Sequence, residues 1–279
     1  MTIRLAALAA FLLTVFGAPS LASEPMPWQI GFQDAGSPTM ERIVGFHNML
    51  LWLISAISLF VLALLLWVIY RYRESRNPTP SRTTHNTVIE VLWTVAPVII
   101  LVLVFIPSYR LMVYADRAVD ADMTLKVIGH QWYWSYEYPD HGNFTFDATL
   151  VAAEDLEDKS KRLLETDNRV VLPVGKKIRL LLTADDVLHS WGVPSLGIKL
   201  DTVPGRLNET WVEITREGVY YGFCSELCGV NHSFMPIAIE AVSEADFNAW
   251  VEKAQQEFAR VDGPETASQV HVAQTAPVE

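Results

Sequence analysis

The sequence predicts an α+β membrane protein: a two-helix transmembrane hairpin near the N-terminus, then an antiparallel β-sandwich or barrel. Three observations carry that prediction. Met49–Tyr70 and Val91–Tyr109 are uncharged runs of 22 and 19 residues; at 1.5 Å rise per residue each can cross a hydrocarbon core of roughly 30 Å as a helix. The connection between them, RYRESRNPTPSRTTHNTV, carries Arg71, Arg73, Arg76 and Arg82 against a single Glu74, the pattern of a short loop kept on the cytoplasmic side. From about residue 123 the chain breaks into short runs rich in Val, Ile, Tyr and Trp, such as TLKVIGH, VVLPV, KIRLLLTA, ETWVEI and MPIAIEAV, with Gly, Pro, Asp or Asn between them. Runs of that kind are strands, and no regular alternation with helices suggests a βαβ fold.

Each element follows in order. MTIRLAALAAFLLTVFGAPSLAS pairs an early arginine with a short apolar run and the small residues Ser20 and Ala22, which reads as a signal peptide over 1–22. A third membrane helix is the alternative, against which the run is short. Residues 23–110 are expected to form a lead-in, irregular to about 48 with Pro25, Pro27 and Pro38, and then helices at about 46–70 and 89–109. Pro97 and Pro107 are tolerable inside a membrane helix. The sandwich is expected over 111–261. It is interrupted by a charged insertion at 152–168 and closed by a helix at 243–258 that Ser243 and Asp246 cap. Residues 262–279 form a polar tail. The arginine-rich loop 71–88 and the signal peptide both place the N-terminus and everything after residue 110 outside, in the periplasm of a bacterial inner membrane protein. The formal net charge of -11 is carried by the external part, with 27 acidic and 15 basic residues from Arg110 onward. That balance argues against nucleic acid and for a basic protein partner or simple solubility.

The two cysteines lie in YYGFCSELCGVNHSFMP, residues 220–236, where Cys224, Cys228, His232 and Met235 recur at offsets 0, 4, 8 and 11. A disulfide is one reading, since the compartment is oxidising and the cysteine count even. A single helical face is another, but Gly229, Asn231, Ser233 and Pro236 oppose it. Two thiols, an imidazole and a thioether form a soft donor set that suits copper, whereas zinc takes Cys and His but not naturally Met. Two bridging thiolates could hold two copper ions, each needing one imidazole. His232 supplies one, and His189 in DDVLHSWGVPSLG is placed to supply the other. His130, His47, His85, His141 and His271 are weaker candidates.

Together CSELCGVNHSFM, DDVLHSWGVP and GHQWYWSYEY resemble subunit II of the haem–copper cytochrome c oxidases, over about residues 40–245. The resemblance implies a cupredoxin-like sandwich holding the binuclear copper A centre. Cys224 and Cys228 would bridge both ions, His189 and Met235 would complete one, and His232 with the backbone carbonyl of Glu226 the other. The Glu226 carboxylate would reach a magnesium or manganese ion shared with subunit I. Trp132 would admit the electron from cytochrome c, with Glu137 and Asp186 on the docking surface and Asp140 and Asp147 less firmly there. From the residues alone, QWYWSYEY puts Trp132, Trp134, Tyr136 and Tyr138 on one strand face and does not separate Trp132 from Trp134. Glu90 reads as part of a Thr87-x-x-Glu90 capping box; by resemblance it marks the cytoplasmic mouth of a proton path.

The resemblance implies one subunit of a proton-translocating cytochrome c oxidase. Its partners would be subunit I and subunit III, cytochrome c as donor, the lipid bilayer, and a copper chaperone for assembly. No C-x-x-C-H haem attachment is present, so no haem is expected on this chain. Two other classes stand against this reading. A copper chaperone on a thioredoxin-like fold would need alternating β and α elements. A disulfide-bridged structural subunit would hold no copper.

Overall fold

The computed structural model describes residues 22–116 and 120–258. Nearly all of the expected signal peptide, and the tail from 262, lie outside the described residues. The fold begins with a helical hairpin, α1 (Pro38–Arg71) and α2 (Thr87–Asp116). Ser37 accepts from Met40 N and Pro38 occupies the first helical position, a favoured start. Residues 38–48, expected to be irregular, are therefore helical. At the second helix Asn86 Oδ1 accepts from Val88 N and Ile89 N, and Glu90 Oε1 accepts from Asn86 N at 3.2 Å. The cap is Asn86 and not Thr87; Glu90 still lies in the first turn. Pro97 and Pro107 sit inside a continuous helix. Both helices carry windows of mean hydropathy 2.7 that the rest of the chain leaves uncovered.

Thirty residues of helix span about 45 Å, more than the hydrocarbon core requires. The surplus locks the hairpin to the sandwich. Trp211 Nε1 donates to Tyr114 O at 2.9 Å and Thr210 Oγ1 to Ala115 O at 3.1 Å, satisfying carbonyls that a helix end leaves without partners. The Arg42 guanidinium stands 3.8 Å over the Tyr114 ring and ties the two helices together at the same level.

The strands are β1 (Ala22–Ser23), β2 (Met123–His130), β3 (Tyr133–Tyr138), β4 (Phe144–Ala148), β5 (Val170–Pro173), β6 (Lys177–Ala184), β7 (His189–Val193), β8 (Ile198–Thr202), β9 (Asn208–Glu213), β10 (Gly218–Cys224) and β11 (Pro236–Val242). One sheet runs β4-β3-β2-β6-β9 and the other β5-β11-β10-β7-β8, with β1 added to β10. Along β2 every second residue is buried, the period of a strand with one face on a core. Leu125, Val127, Trp134, Tyr136, Leu180 and Leu182 from the first sheet meet Leu172, Trp191, Val193, Ile237 and Ile239 from the second. The sandwich is the predicted one, although β2–β6, β5–β11 and β1–β10 pair in parallel. Strands β1, β4, β7 and β8 lie outside the expected runs. The insertion at 152–168 is turns with a short 3-10 stretch at Lys159–Lys161. Ser243 caps the final helix, α3 (Glu244–Glu257).

Candidate metal centre

The start of β7 and the end of β10 lie side by side, Cys224 opposite Trp191, so His189 and the loop 225–235 meet at one end of the sandwich. Ser225 N donates to Ser190 O at 2.9 Å and Cys224 N to Met235 O at 3.3 Å, closing the loop upon itself. Its sulfurs point inward: Cys224, Cys228 and Met235 are buried, as is His189. The Cys224 and Cys228 Sγ atoms are 3.9 Å apart. A disulfide would hold them at about 2.05 Å, and both thiols are free.

The other donors surround that pair. His189 Nδ1 is 3.9 Å from Cys224 Sγ, and His232 Nδ1 and Met235 Sδ are each 3.5 Å from Cys228 Sγ. The Glu226 carbonyl accepts from the Cys224 thiol at 3.3 Å, while the Glu226 side chain is exposed. The ligand atoms of His189, Cys224 and Cys228 all lie within 4.8 Å of one another. Two metal–thiolate bonds of about 2.3 Å reach across the sulfur pair at an angle of about 115°, so the cluster fits a metal ion. All six expected donor positions converge here.

The thiols differ electrostatically. Burial raises the Cys224 thiol, but the hydrogen bond with His189 and backbone bonds at Ser190 and Glu226 outweigh it, leaving it below the usual thiol range. Burial and the neighbouring Cys224 push Cys228 up to about 12. Burial and mutual repulsion oppose ionising both sulfurs at once, a charge that a bound cation would offset.

Asp186 has a structural role that the sequence reading gave to no residue. Its Oδ1 accepts from His189 Nε2 at 2.8 Å and from Val187 N at 2.6 Å, and its Oδ2 accepts from Gln131 N at 2.6 Å. Burial opposes ionisation, yet these bonds hold its carboxyl below the usual range. A proton kept at Nε2 would leave Nδ1 as the nitrogen available to a metal ion beside the sulfurs. The side chain retains 32 % of its surface, so it borders solvent as well.

Trp132 is not on the strand face. It precedes β3 in a turn, half-buried, whereas Trp134, Tyr136 and Tyr138 are fully buried. Trp132 Nε1 donates to Cys228 O at 3.2 Å, and Gln131 Nε2 donates to the same carbonyl at 2.7 Å. Gly229 permits this approach: its φ is +122°, and a Cβ there would stand 3.0 Å from Trp132 Cζ2. Gln131 and Gly229 were missed, although a glycine directly after a ligand cysteine is a signal of a left-handed turn. Trp134 instead packs edge-on against the His189 ring, 5.8 Å between centroids.

The remaining acids are less free than expected. Glu137 is paired with Lys126 at 2.8 Å. Asp140 Oδ2 accepts from Thr124 N, and Asp147 Oδ1 from Ser135 Oγ. Glu90 belongs to the hairpin's other end and has no part in the cluster.

A membrane-anchored sandwich with a buried thiol–imidazole cluster at one end defines a class: a membrane subunit carrying a soft-metal centre in its extramembrane domain. Sequence comparison narrows this. The profile of "Cytochrome C oxidase subunit II, transmembrane domain" matches residues 25–111 and that of "Cytochrome C oxidase subunit II, periplasmic domain" residues 123–242. The chain is 52% identical over 239 residues to the probable cytochrome c oxidase subunit 2 of Rickettsia bellii, covering 86% of this chain and 89% of that one. It is 50% identical to cytochrome c oxidase subunit 2 of Oenothera berteroana, covering 85% and 94%. The chain belongs to the cytochrome c oxidase subunit II family, and its two long helices are membrane-spanning. It is thus one subunit of an oxidase complex. Among solved structures, it is similar to the periplasmic domain of subunit II of cytochrome oxidase of Bradyrhizobium japonicum, with 50% identity and a TM-score of 0.48 over 50% of this chain and 99% of that one. A mixed disulfide between a thioredoxin-like protein and a subunit II also matches, with 49% identity and a TM-score of 0.45 over 51% and 96%.

Proposed function

We propose that this subunit receives electrons from cytochrome c at a binuclear copper A centre and delivers them to haem in subunit I, where oxygen is reduced to water. The observation that carries this is the convergence of two free, unbridged thiols with two imidazoles, a thioether and a backbone carbonyl in a buried loop. In the assignment we propose, Cys224, Cys228, His189, Met235, His232 and the Glu226 carbonyl would hold the copper pair. Bound there, the copper pair supplies a one-electron couple. The residues around it do the rest. Asp186 fixes the tautomer of His189, and the closed loop 225–235 limits rearrangement between oxidation states. Burial keeps water from the sulfurs, strengthening every interaction within.

Trp132 admits the electron. Its ring reaches solvent, and its indole N–H bonds the Cys228 carbonyl, a short covalent and hydrogen-bonded route to a sulfur. The buried Trp134 lacks the surface position. Cytochrome c meets the face around Trp132, with Asp186 and Glu137 among the docking acids; the Lys126 pairing weakens the share of Glu137. The exposed Glu226 carboxylate supplies a ligand to magnesium or manganese shared with subunit I, and Glu90 stands at a proton path. In this reading subunit III and a copper chaperone complete the partners. A thioredoxin-like reductant keeps the cysteine pair open until copper arrives. In this reading the chain is a bacterial inner membrane protein with a signal peptide over 1–22, the sandwich in the periplasm and the loop 71–88 in the cytoplasm. Rapid mixing of reduced cytochrome c with the assembled oxidase tests the docking: electron input should slow as salt rises, because steering between opposite charges is screened. A rate flat across ionic strength would remove the acidic face from the proposal.

A further inference from the structure

The lead-in between β1 and α1 forms a built element that the electron path does not use. Its ends meet: Ser23 Oγ donates to Asp34 O at 3.3 Å. Glu24 at its root is paired with Lys161. Between Glu24 and Asp34 there is no charged residue. Inside the loop, Gln29 bonds its own backbone. Its Oε1 accepts from Met26 N at 3.2 Å, its Nε2 donates to Phe32 O at 2.8 Å, and its N–H donates to Met26 O at 3.2 Å. Gln29 thus spends its side-chain amide on the loop's own backbone, while the apolar side chains stand exposed. Trp28 is 98 % exposed, Ile30 101 % and Met26 65 %. Trp28 adopts a φ of 60°, a left-handed backbone that bulky residues rarely take.

The loop's position indicates what covers it. Phe32 packs edge-on against His47 of α1, ring centroids 4.8 Å apart. His47 lies just before the uncharged run that begins at Met49. The loop therefore stands beside α1 at the level where the hydrocarbon core begins, on the side that holds the sandwich. A tryptophan with aliphatic neighbours at that depth suits the boundary between headgroups and acyl chains. Four of the loop's backbone groups, at Met26, Gln29 and Phe32, are bonded within it, which lowers the cost of entering an apolar medium. From these observations we infer that residues 26–30 are a membrane-interface anchor, with Trp28, Ile30 and Met26 seated among phospholipids. The anchor steadies the domain's N-terminal strap against the bilayer. It depends on the hairpin spanning the membrane and is independent of the copper assignment.

The test places a photo-activatable benzophenone amino acid at position 28, and separately at position 30, in the full chain within the assembled oxidase in its native membrane. The same probe at Glu252, an exposed position on α3, is the reference. Irradiation and mass analysis of the subunit should find phospholipid adducts at 28 and 30, several-fold above the level at 252. If the probe at 28 blocks assembly, position 30 supplies the readout. Adducts to another polypeptide would identify the loop as a subunit contact and overturn the inference. Lipid adducts no more frequent than at 252 would overturn it as well.

Discussion

Asp186→Ala removes the carboxylate that holds His189 by Nε2. Three accepted hydrogen bonds disappear, of which the 2.8 Å bond from the imidazole bears on metal binding. A hydrogen bond to a charged group contributes about 1.5–3 kcal/mol, and the lower end applies because the Asp186 side chain keeps 32 % of its surface. Loss of a carboxylate behind a metal-bound histidine weakens metal affinity by about 10- to 100-fold, equivalent to about 1.4–2.8 kcal/mol. The two routes agree. Copper competition against a chelator, with the purified full chain, should show that loss together with a shifted visible spectrum and unchanged circular dichroism. Asp186→Asn should fall between, since the amide oxygen can still accept from His189 while its nitrogen faces the Gln131 N–H. Unchanged affinity and spectrum in Asp186→Ala would refute the positioning role. Slower electron input from cytochrome c in that same variant would make Asp186 a docking acid alone.

Gly129→Ala puts a Cβ 2.8 Å from His189 Cδ2 and 3.0 Å from Thr202 Oγ1. The ring must retreat, at about 1–3 kcal/mol of overpacking, measured by denaturant unfolding of the metal-free chain; stability equal to the parent would contradict this. Glu165 is half-buried. Burial raises its carboxyl, but the hydrogen bonds and charge of Arg169, with Tyr221, bring it below its ordinary value of 4.5. A depressed folded pKa stabilises in full above about 4.5 and loses that stabilisation as pH falls through the lower folded value. Glu165→Gln should therefore flatten the acid limb of stability against pH, and an unaltered slope would count against the pairing. Trp132→Phe keeps an aromatic ring but deletes the donor to Cys228 O; electron input from cytochrome c should slow at full copper content, and an equal rate would remove the route.

Most of the architecture was legible because strong signals are local. An uncharged run long enough to span a bilayer needs no tertiary information, and the donors at 224, 228, 232 and 235 sit within one loop. The start of α1 is equally present in Ser37-Pro38, but three prolines give the lead-in an irregular look. The strands HSWGV and IKLDT were hidden by brevity, and by a Gly and flanking Pro that read as turns. They are strands because β10 and each other supply their partners, which no window on the sequence contains. Trp132 leaves the strand face through a two-residue turn before Tyr133, which alternation cannot detect. Asp186 was legible as an acid, but its bond to His189 depends on a loop conformation that spacing does not specify.

The central claim is that the cysteine pair is saturated by copper, two ions sharing one electron. Electron paramagnetic resonance of the purified chain, reduced and then loaded with copper, addresses it most directly. Hyperfine splitting from two equivalent copper nuclei, with two coppers bound per chain, is the predicted result. Splitting from a single nucleus, or a colourless chain with Cys224 and Cys228 oxidised to each other, would contradict it.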